Sequence, residues 1–222
     1  MKYYAIIVAG GSGQRMKSSV PKQFVALAGK PVLMHTIEKF YSASAAIKII
    51  VVLPKSFHSA WAALCERHYF NLPHQVCEGG DSRFQSVKNG LMFCVESSII
   101  AVHDGVRPFI HPDHILNLYK DAESKFAVVP AYAVKESIRE VNAAGSRALD
   151  RSRYFSVQTP QCFSSELLHK AYQQKEQATF TDDASAVEEL GINVHLVKGD
   201  RKNIKLTTPE DFVFAEALLK RL

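Results

Sequence analysis

The chain has 222 residues, 47% of them hydrophobic and 22% charged, a balance that favours one globular domain over residues 1–222, or a domain plus a short appendage, and that is typical of neither a disordered nor a coiled-coil protein. Its net charge of +5 comes from dispersed lysines and arginines without the basic, aromatic-interleaved tract of a nucleic-acid surface, so we expect small acidic substrates rather than nucleic acid. No apolar run approaches the roughly 20 residues of a membrane span, and the four cysteines lack metal-ligand spacing and favour a reduced, cytoplasmic protein.

The chain opens with an apolar run, Tyr3–Ala9, which predicts a strand buried on both faces of a parallel sheet. The run ends at the loop Gly10–Gly13, whose glycines allow a tight turn and whose amides can bind an anion. Arg15 and Lys22 follow and add positive charge. The spacing fits neither the dinucleotide fingerprint nor the P-loop, because Met16 stands where each pattern requires glycine. We therefore expect a phosphate-binding loop of another type.

After this loop, apolar strand-like runs alternate with amphipathic helical runs. The predicted strands are Ile47–Leu53, Ile99–His103, Ala127–Ala133 and Asn193–Val197, and the predicted helices are Val32–Tyr41, Ser59–Tyr69, Ser82–Met92, His114–Ser124 and Ser164–Gln174. Two later helices are predicted to begin after the caps Thr181 and Thr208. Such alternation predicts an α/β fold with a mostly parallel sheet, which binds ligands at the carboxyl ends of its strands.

One segment breaks the alternation. Glu136–Val141 has no convincingly apolar face, and the turn Asn142–Ser146 leads into Arg147–Asp150, a pattern that predicts a β-hairpin arm at about 134–156. An isolated hairpin is marginally stable in water. We therefore expect the arm to contact a second subunit.

Polar residues at the predicted strand ends are rich in cations and glycine, without a Ser-His-Asp or Cys-His arrangement or a carboxylate pair for acid–base work. A phosphate monoester that attacks another phosphate is already an anion near neutral pH, so positioning and electrostatics would suffice for catalysis. A helix terminus stabilises an anion by only about 0.3 to 1 kcal/mol, and a charge-assisted hydrogen bond by roughly 1.5 to 3. Arg15, Lys22 and a divalent ion should therefore contribute most, with Asp104 as the expected magnesium ligand.

Six sequence blocks follow one another over nearly the whole chain. They are Ala9–Met16 with Pro21–Gln23, Gly80–Arg83 with Ser86–Val87, Val102–Pro108, Gln158–Gln161, Thr181–Ala184, and Asn203–Lys205 with Thr208–Asp211. In this order they resemble the signature of the 2-C-methyl-D-erythritol 4-phosphate cytidylyltransferase family. The resemblance implies a Rossmann-like nucleotidyltransferase fold, a homodimer whose hairpin arm reaches the partner's site, and magnesium-dependent transfer of the cytidylyl group of CTP to a polyol phosphate in the non-mevalonate isoprenoid pathway.

The resemblance also implies roles for individual residues. Arg15, Lys22 and Lys205 would be catalytic, and CTP would be bound by Ala9, Gly10, Gly11, Ser12, Gly13, Gly80, Asp81 and Ser86. Asp104 would hold the magnesium ion. The acceptor would be bound by Arg107, Thr159 and Lys205, together with Ser137 and Arg151 from the partner's arm.

Two departures from the family pattern leave alternatives open. Glu136-Ser137 replaces the common Asp-Thr of the arm, and Val106 replaces an alanine, as in the similar ribitol 5-phosphate cytidylyltransferases. Ribitol 5-phosphate is therefore the alternative acceptor, and a non-catalytic nucleotide-binding protein is the second alternative. Arg83 is open between a nucleotide contact and a surface charge, and His103 is interpreted as a packed strand-end residue.

Overall fold

The computed structural model describes residues 1–10, 20–95 and 97–220. Over these residues the strands are β1 (Lys2–Val8), β2 (Ala26–Leu27), β3 (Lys30–Pro31), β4 (Lys48–Leu53), β5 (Gln75–Glu78), β6 (Ser98–Asp104), β7 (Ala127–Ala133), β8 (Ile138–Asn142), β9 (Gly145–Leu149), β10 (Phe155–Val157), β11 (Gln161–Ser164) and β12 (His195–Lys198). The helices are α1 (Val32–Ala43), α2 (His58–Arg67), α3 (Arg83–Leu91), α4 (Pro112–Lys125), α5 (Ser165–Gln173), α6 (Asp183–Glu188) and α7 (Pro209–Leu219). None of the helices in these ranges is long and apolar enough to cross a membrane.

The main sheet has the strand order β10-β7-β11-β6-β1-β4-β5, and β12 also pairs with β7. β1 is parallel to β4 and β6, and β4 is parallel to β5, whereas β11 runs antiparallel to β6 and β7. The predicted mostly parallel sheet between helices is thus confirmed. Val8 pairs with Val52 of β4 and with Asp104 of β6, so these strands end at one edge, where parallel sheets bind their ligands.

Helices cover both faces of this sheet, as the continuous apolar run of β1 requires. Ala5 and Ile7 pack with apolar residues of α1 and α4 on one face. Tyr4 and Ile6 pack with apolar residues of α3 and α5 on the other. Full burial of an isoleucine side chain stabilises a fold by about 1.5 to 3 kcal/mol, so this strand anchors the edge at which the site lies.

The predicted hairpin is confirmed. β8 and β9 form a separate two-stranded antiparallel sheet that runs from the pair Ile138 and Leu149 to the pair Asn142 and Gly145. Gly145 has a φ of +131°, which suits glycine at the turn. Val141 is 76% exposed on this arm. Its predicted contact with a second subunit stays a prediction.

Several short strands were not expected from the sequence, and one helix cap differs from its prediction. The short strands β10 and β11 were not predicted, because they flank the sequence Thr159-Pro160, which reads as a loop. The cap of α6 is Asp182 rather than Thr181, since the Asp182 side chain accepts the backbone N–H of Ser185. The predicted cap Thr208 is confirmed at the start of α7.

Candidate active site

A cavity of about 360 Å³ opens at the carboxyl ends of β1, β5 and β6. It brings together eight of the residues predicted from the sequence, namely Ala9, Gly10, Lys22, Gly80, Asp81, Ser86, Asp104 and Lys205, and its wall also includes Val8, Gln23, Ser82, Arg83 and Val106. Four further predicted residues, Gly11, Ser12, Gly13 and Arg15, lie outside the described residues.

Asp104 is the last residue of β6 and only 7% exposed. Its Oδ2 accepts a hydrogen bond from Arg107 Nε at 2.9 Å and lies 3.0 Å from Lys205 Nζ. Burial alone would raise the pKa of Asp104, but the positive charges of Lys205, Arg107 and Arg83 hold it well below its usual range. The side chain is therefore a carboxylate at neutral pH.

The carboxylate of Asp104 suits a magnesium ion. Both ion pairs of Asp104 use Oδ2, so Oδ1 takes part in neither of them. The described residues contain no group of three or more acidic, histidine or cysteine side chains that could hold a metal ion. Magnesium commonly takes one or two protein carboxylates and completes its shell with phosphates and water, and Asp104 suits that mode of binding.

Arg107 links Asp104 to the loop that carries Lys205. Its Nε bonds Asp104, and its Nη1 donates to the backbone carbonyl of Asn203 at 2.9 Å. The side chain is only 13% exposed. Arg107 therefore couples the end of β6 to the loop that carries Lys205, and its predicted contact with the acceptor stays a prediction.

Thr159 lies beneath Asp104 rather than in the wall of the cavity. Its Oγ1 accepts the Asp104 backbone N–H at 3.0 Å and is 3.0 Å from His103 Nδ1. The hydroxyl proton can then be donated to Nδ1, which leaves the hydrogen of His103 on Nε2, facing the Arg107 carbonyl at 3.1 Å. Burial lowers the pKa of His103 to about 4, so this fully buried ring is neutral and packed, as interpreted from the sequence.

The opposite wall is the loop before α3. The Gly80 N–H donates to the Oγ of Ser86 at 3.1 Å, and Ser86 is 3% exposed. A Cβ on Gly80 would lie 2.3 Å from the Cβ of Gln85, so only glycine fits there. Ser82 caps α3, and the exposed Asp81 precedes it. Ser86 therefore shapes the loop that is predicted to bind CTP.

Arg83 makes an ion pair that the sequence did not reveal. Its Nη1 and Nη2 donate to Asp183 Oδ1 and Oδ2 at 2.9 and 2.6 Å, and the Tyr172 hydroxyl donates to Oδ1 at 2.5 Å. Asp183 is fully buried, whereas the Arg83 side chain is 30% exposed at the cavity. Arg83 is thus neither an isolated surface charge nor a free cation. The partners are 100 residues apart, which no sequence pattern could indicate.

Lys22 is held near the end of β1 by its neighbour. It begins a short 3-10 helix, Lys22–Phe24, after Pro21. Gln23 is fully buried and donates from Nε2 to the Ala9 carbonyl at 2.7 Å. The Pro-Lys-Gln sequence therefore fixes a cation beside the loop that follows β1.

The two arm residues of the prediction lie elsewhere. Ser137 and Arg151 are both exposed, and neither lines the cavity. The Arg151 guanidinium donates to the Lys135 carbonyl at the base of the arm. Their predicted role is in a partner's site and stays a prediction.

The chain is similar to members of one named family over nearly its whole length. The family model of 2-C-methyl-D-erythritol 4-phosphate cytidylyltransferase matches residues 3–221. The relative of that name from Bacteroides thetaiotaomicron is 50% identical over 219 residues, which cover 99% of this chain and 100% of the relative. The relative of that name from Geobacillus kaustophilus is 38% identical over 222 residues, which cover 99% and 97%.

Solved structures agree with this similarity. The 2-C-methyl-D-erythritol 4-phosphate cytidylyltransferase of Thermus thermophilus aligns with a TM-score of 0.81 at 28% identity and covers 99% of this chain and 100% of its own. The protein of that name from Francisella tularensis aligns with a TM-score of 0.80 at 31% identity and covers 98% and 99%.

Proposed function

We infer that this chain, which belongs to the 2-C-methyl-D-erythritol 4-phosphate cytidylyltransferase family, transfers the cytidylyl group of CTP to 2-C-methyl-D-erythritol 4-phosphate in isoprenoid biosynthesis. The products are the CDP-alcohol and pyrophosphate. The observation that carries this function is the family match over residues 3–221, joined to a cavity with a charged carboxylate and lysines at the strand ends.

The reaction needs no general base. An oxygen of the acceptor phosphate forms a bond to the α-phosphorus of CTP, and the bond from that phosphorus to the oxygen bridging to the β-phosphate breaks. Pyrophosphate leaves as an anion, so no proton has to be removed from the nucleophile. Catalysis then consists of aligning two anions and stabilising the charge that develops on the α-phosphoryl oxygens.

The donor side of the site would include Gly10 and Lys22 and the loop before α3. Lys22, with Arg15, would bind the triphosphate and stabilise the transition state. Gly10 lies after the end of β1, and Gly80 and Asp81 lie on the loop before α3, where they would contact the nucleotide. Removal of one such charge-stabilising group typically costs about a hundredfold to a thousandfold in kcat.

The acceptor side is formed around Asp104. Asp104 would hold magnesium, which when bound would supply positive charge that stabilises the phosphates. Lys205 lies 3.0 Å from this carboxylate and would bind the acceptor phosphate. Arg107 and Thr159 keep the carboxylate in place through its side chain and its backbone N–H.

The arm would complete the site of a second copy in a homodimer. This proposal is supported by a hairpin that pairs only within itself as a separate sheet and exposes Val141. We expect Lys22→Ala and Arg151→Ala enzymes to lose most of their activity alone and to recover part of it when mixed under subunit exchange, because one mixed site then has both native side chains. No recovery after proven exchange would contradict a shared site.

Further support concerns the compartment and the acceptor. All four cysteines are free thiols, in agreement with a cytoplasmic location. Val106 is 4% exposed, packs with Leu27 and Leu206 and also lines the cavity, so this departure from the family pattern has a packing role beside the site.

The function is tested by pyrophosphate release from CTP with each polyol phosphate in turn. We expect kcat/KM with 2-C-methyl-D-erythritol 4-phosphate to exceed that with ribitol 5-phosphate by about a hundredfold. Activity with ribitol 5-phosphate alone would contradict the proposed acceptor. No release with either would favour a non-catalytic nucleotide-binding protein.

A further inference from the structure

Residues 199–205 form the loop that brings Lys205 to Asp104, and a buried side chain outside the cavity holds this loop. Gln158 is 3% exposed and lies between β10 and β11. Its Nε2 donates to the carbonyls of Asp200 at 2.8 Å and Asn203 at 3.0 Å, and its Oε1 accepts the N–H of Asp200 at 3.0 Å. One side-chain amide thus binds both backbone groups of Asp200 and a second carbonyl, as a neighbouring strand would.

The backbone of the loop approaches the Gln158 amide closely at Gly199. A Cβ on Gly199 would lie 2.6 Å from Gln158 Oε1 and 3.2 Å from backbone atoms of Ala131, so the approach requires glycine. The Gly199 N–H donates to the Ala131 carbonyl at 2.8 Å, and the Gln158 N–H donates to the Pro130 carbonyl at 2.8 Å. Loop and amide are therefore both tied to β7.

Asn203 connects the loop held by Gln158 to Arg107 and Thr159. It is fully buried, and its carbonyl accepts from both Gln158 Nε2 and Arg107 Nη1. Its Nδ2 donates to the Thr159 carbonyl at 2.8 Å. Lys205 follows two residues later, so the backbone that directs its side chain starts from this fixed point.

The backbone that follows Lys205 is fixed as well. Leu206 donates its N–H to the Val106 carbonyl at 2.9 Å and is fully buried. Lys205 is therefore held between two buried backbone anchors, while its Nζ stands 3.0 Å from Asp104 Oδ2.

We propose that Gln158 is a positioning residue, which places the Lys205 ammonium group at Asp104 by fixing Asp200 and Asn203. The proposal rests on the proposed role of Lys205 in binding the acceptor phosphate. A lysine has a long, flexible side chain, so its alignment depends on where its backbone is held. A displacement of about 1 Å can cost about a hundredfold in rate.

The test is a double-mutant cycle of Gln158→Met and Lys205→Met, read as kcat/KM for the acceptor. We expect Gln158→Met to lower this value by about tenfold to a hundredfold with little change in the KM for CTP, whose loop lies on the opposite wall. We expect the double variant to be no worse than Lys205→Met by more than about threefold, because the lysine that Gln158 positions is already absent. Losses that multiply would overturn the proposal, as would a Gln158→Met enzyme with unchanged acceptor kinetics.

Gln161→Met is the matched control. Gln161 is 1% exposed and also bridges segments, but it bonds Asp182 Oδ2 and the Ala184 N–H at the start of α6 and not the loop that carries Lys205. The fall in kcat/KM that Gln161→Met causes should therefore multiply with the fall that Lys205→Met causes. Equal coupling of both glutamines to Lys205 would indicate general loosening of the fold and would overturn a specific role for Gln158.

A crystal structure of the Gln158 variant gives a readout that does not require turnover. We expect the Lys205 Nζ to Asp104 Oδ2 distance to increase from 3.0 Å, and an unchanged distance would overturn the proposal. If the methionine variant does not fold, Gln158→Glu replaces it in both the kinetic and the crystallographic measurement. Glutamate keeps the size of the side chain but places an oxygen beside the carbonyls of Asp200 and Asn203, where Gln158 Nε2 donates. A native enzyme inactive with both polyol phosphates would instead refute the proposed function, and the distance would still decide the role of Gln158.

Discussion

Asp183→Asn is expected to lower the free energy of unfolding by about 3 kcal/mol, because it removes the charge of a fully buried carboxylate. The two carboxylate oxygens accept hydrogen bonds from Arg83 at 2.9 and 2.6 Å and from the Tyr172 hydroxyl at 2.5 Å. Asparagine keeps the shape and one acceptor oxygen. Its amide nitrogen, however, would face a guanidinium nitrogen, and Arg83 would lose its counter-charge.

The magnitude follows from the burial of the two partners. Breaking a buried ion pair from one side costs about 3 to 5 kcal/mol. Because the Arg83 side chain is 30% exposed at the cavity, water can solvate part of the guanidinium, and the lower end of that range applies. In a chain of this size, a loss of about 3 kcal/mol corresponds to a fall in Tm of roughly 6 to 12 °C.

Equilibrium urea unfolding measures this loss, with Asp182→Asn as the matched control. Asp182 is the adjacent residue and caps α6 through the Ser185 N–H, a task that asparagine performs about as well as aspartate, but its Oδ2 also accepts a hydrogen bond from Gln161 Nε2 that asparagine would lose. We expect the control to lower the unfolding free energy by about 1 kcal/mol, less than Asp183→Asn, because it loses one hydrogen bond and no buried ion pair. Equal effects of the two substitutions, or a loss below about 1 kcal/mol for Asp183→Asn, would refute the importance of the buried pair.

Three further outcomes are expected. Lys22→Ala should lower kcat by about a hundredfold or more while CTP affinity, measured by calorimetry, changes much less, and an unchanged kcat would remove Lys22 from the mechanism. Burial lowers the pKa of His103 to about 4, below the value of about 6.5 in an unfolded chain, so its contribution to stability is complete above pH 6.5 and is lost as the pH falls toward 4. In urea unfolding, the free energy of unfolding should therefore fall less for His103→Gln than for the native protein as the pH is lowered between these values. An equal fall for both proteins would contradict a neutral buried ring. Chelation by EDTA should abolish pyrophosphate release until magnesium is restored, and Asp104→Asn should need about tenfold more magnesium, whereas full activity in EDTA would refute a metal at Asp104.

The sequence predicted those features that depend on local patterns. The apolar run of β1 indicated a buried strand, and the strand ends at the edge of the sheet where the cavity lies. The weakly apolar segment before Asn142 indicated an arm outside the core. In each case a few adjacent residues determine burial or turn geometry, so periodicity and composition suffice.

The supporting network could not be predicted in this way. Arg83 and Asp183 are 100 residues apart, and Gln158 contacts Asn203 across 45 residues. Such pairs form only after the sheet has placed their backbones, and a buried glutamine has no periodic signature that distinguishes it from one in a loop. Thr159 illustrates the same limit, since its hydroxyl accepts the backbone N–H of Asp104 across 55 residues, and its predicted contact with the acceptor stays a prediction.

Direct attack of the acceptor phosphate on CTP is tested most directly by ³¹P NMR with an acceptor whose phosphate carries ¹⁸O. We expect a CDP-alcohol in which the acceptor phosphorus keeps its label and one labelled oxygen bridges to the former α-phosphorus. The pyrophosphate released in equal amount should contain no label. Labelled pyrophosphate, or CMP formed without the CDP-alcohol, would contradict transfer of the cytidylyl group to the acceptor phosphate.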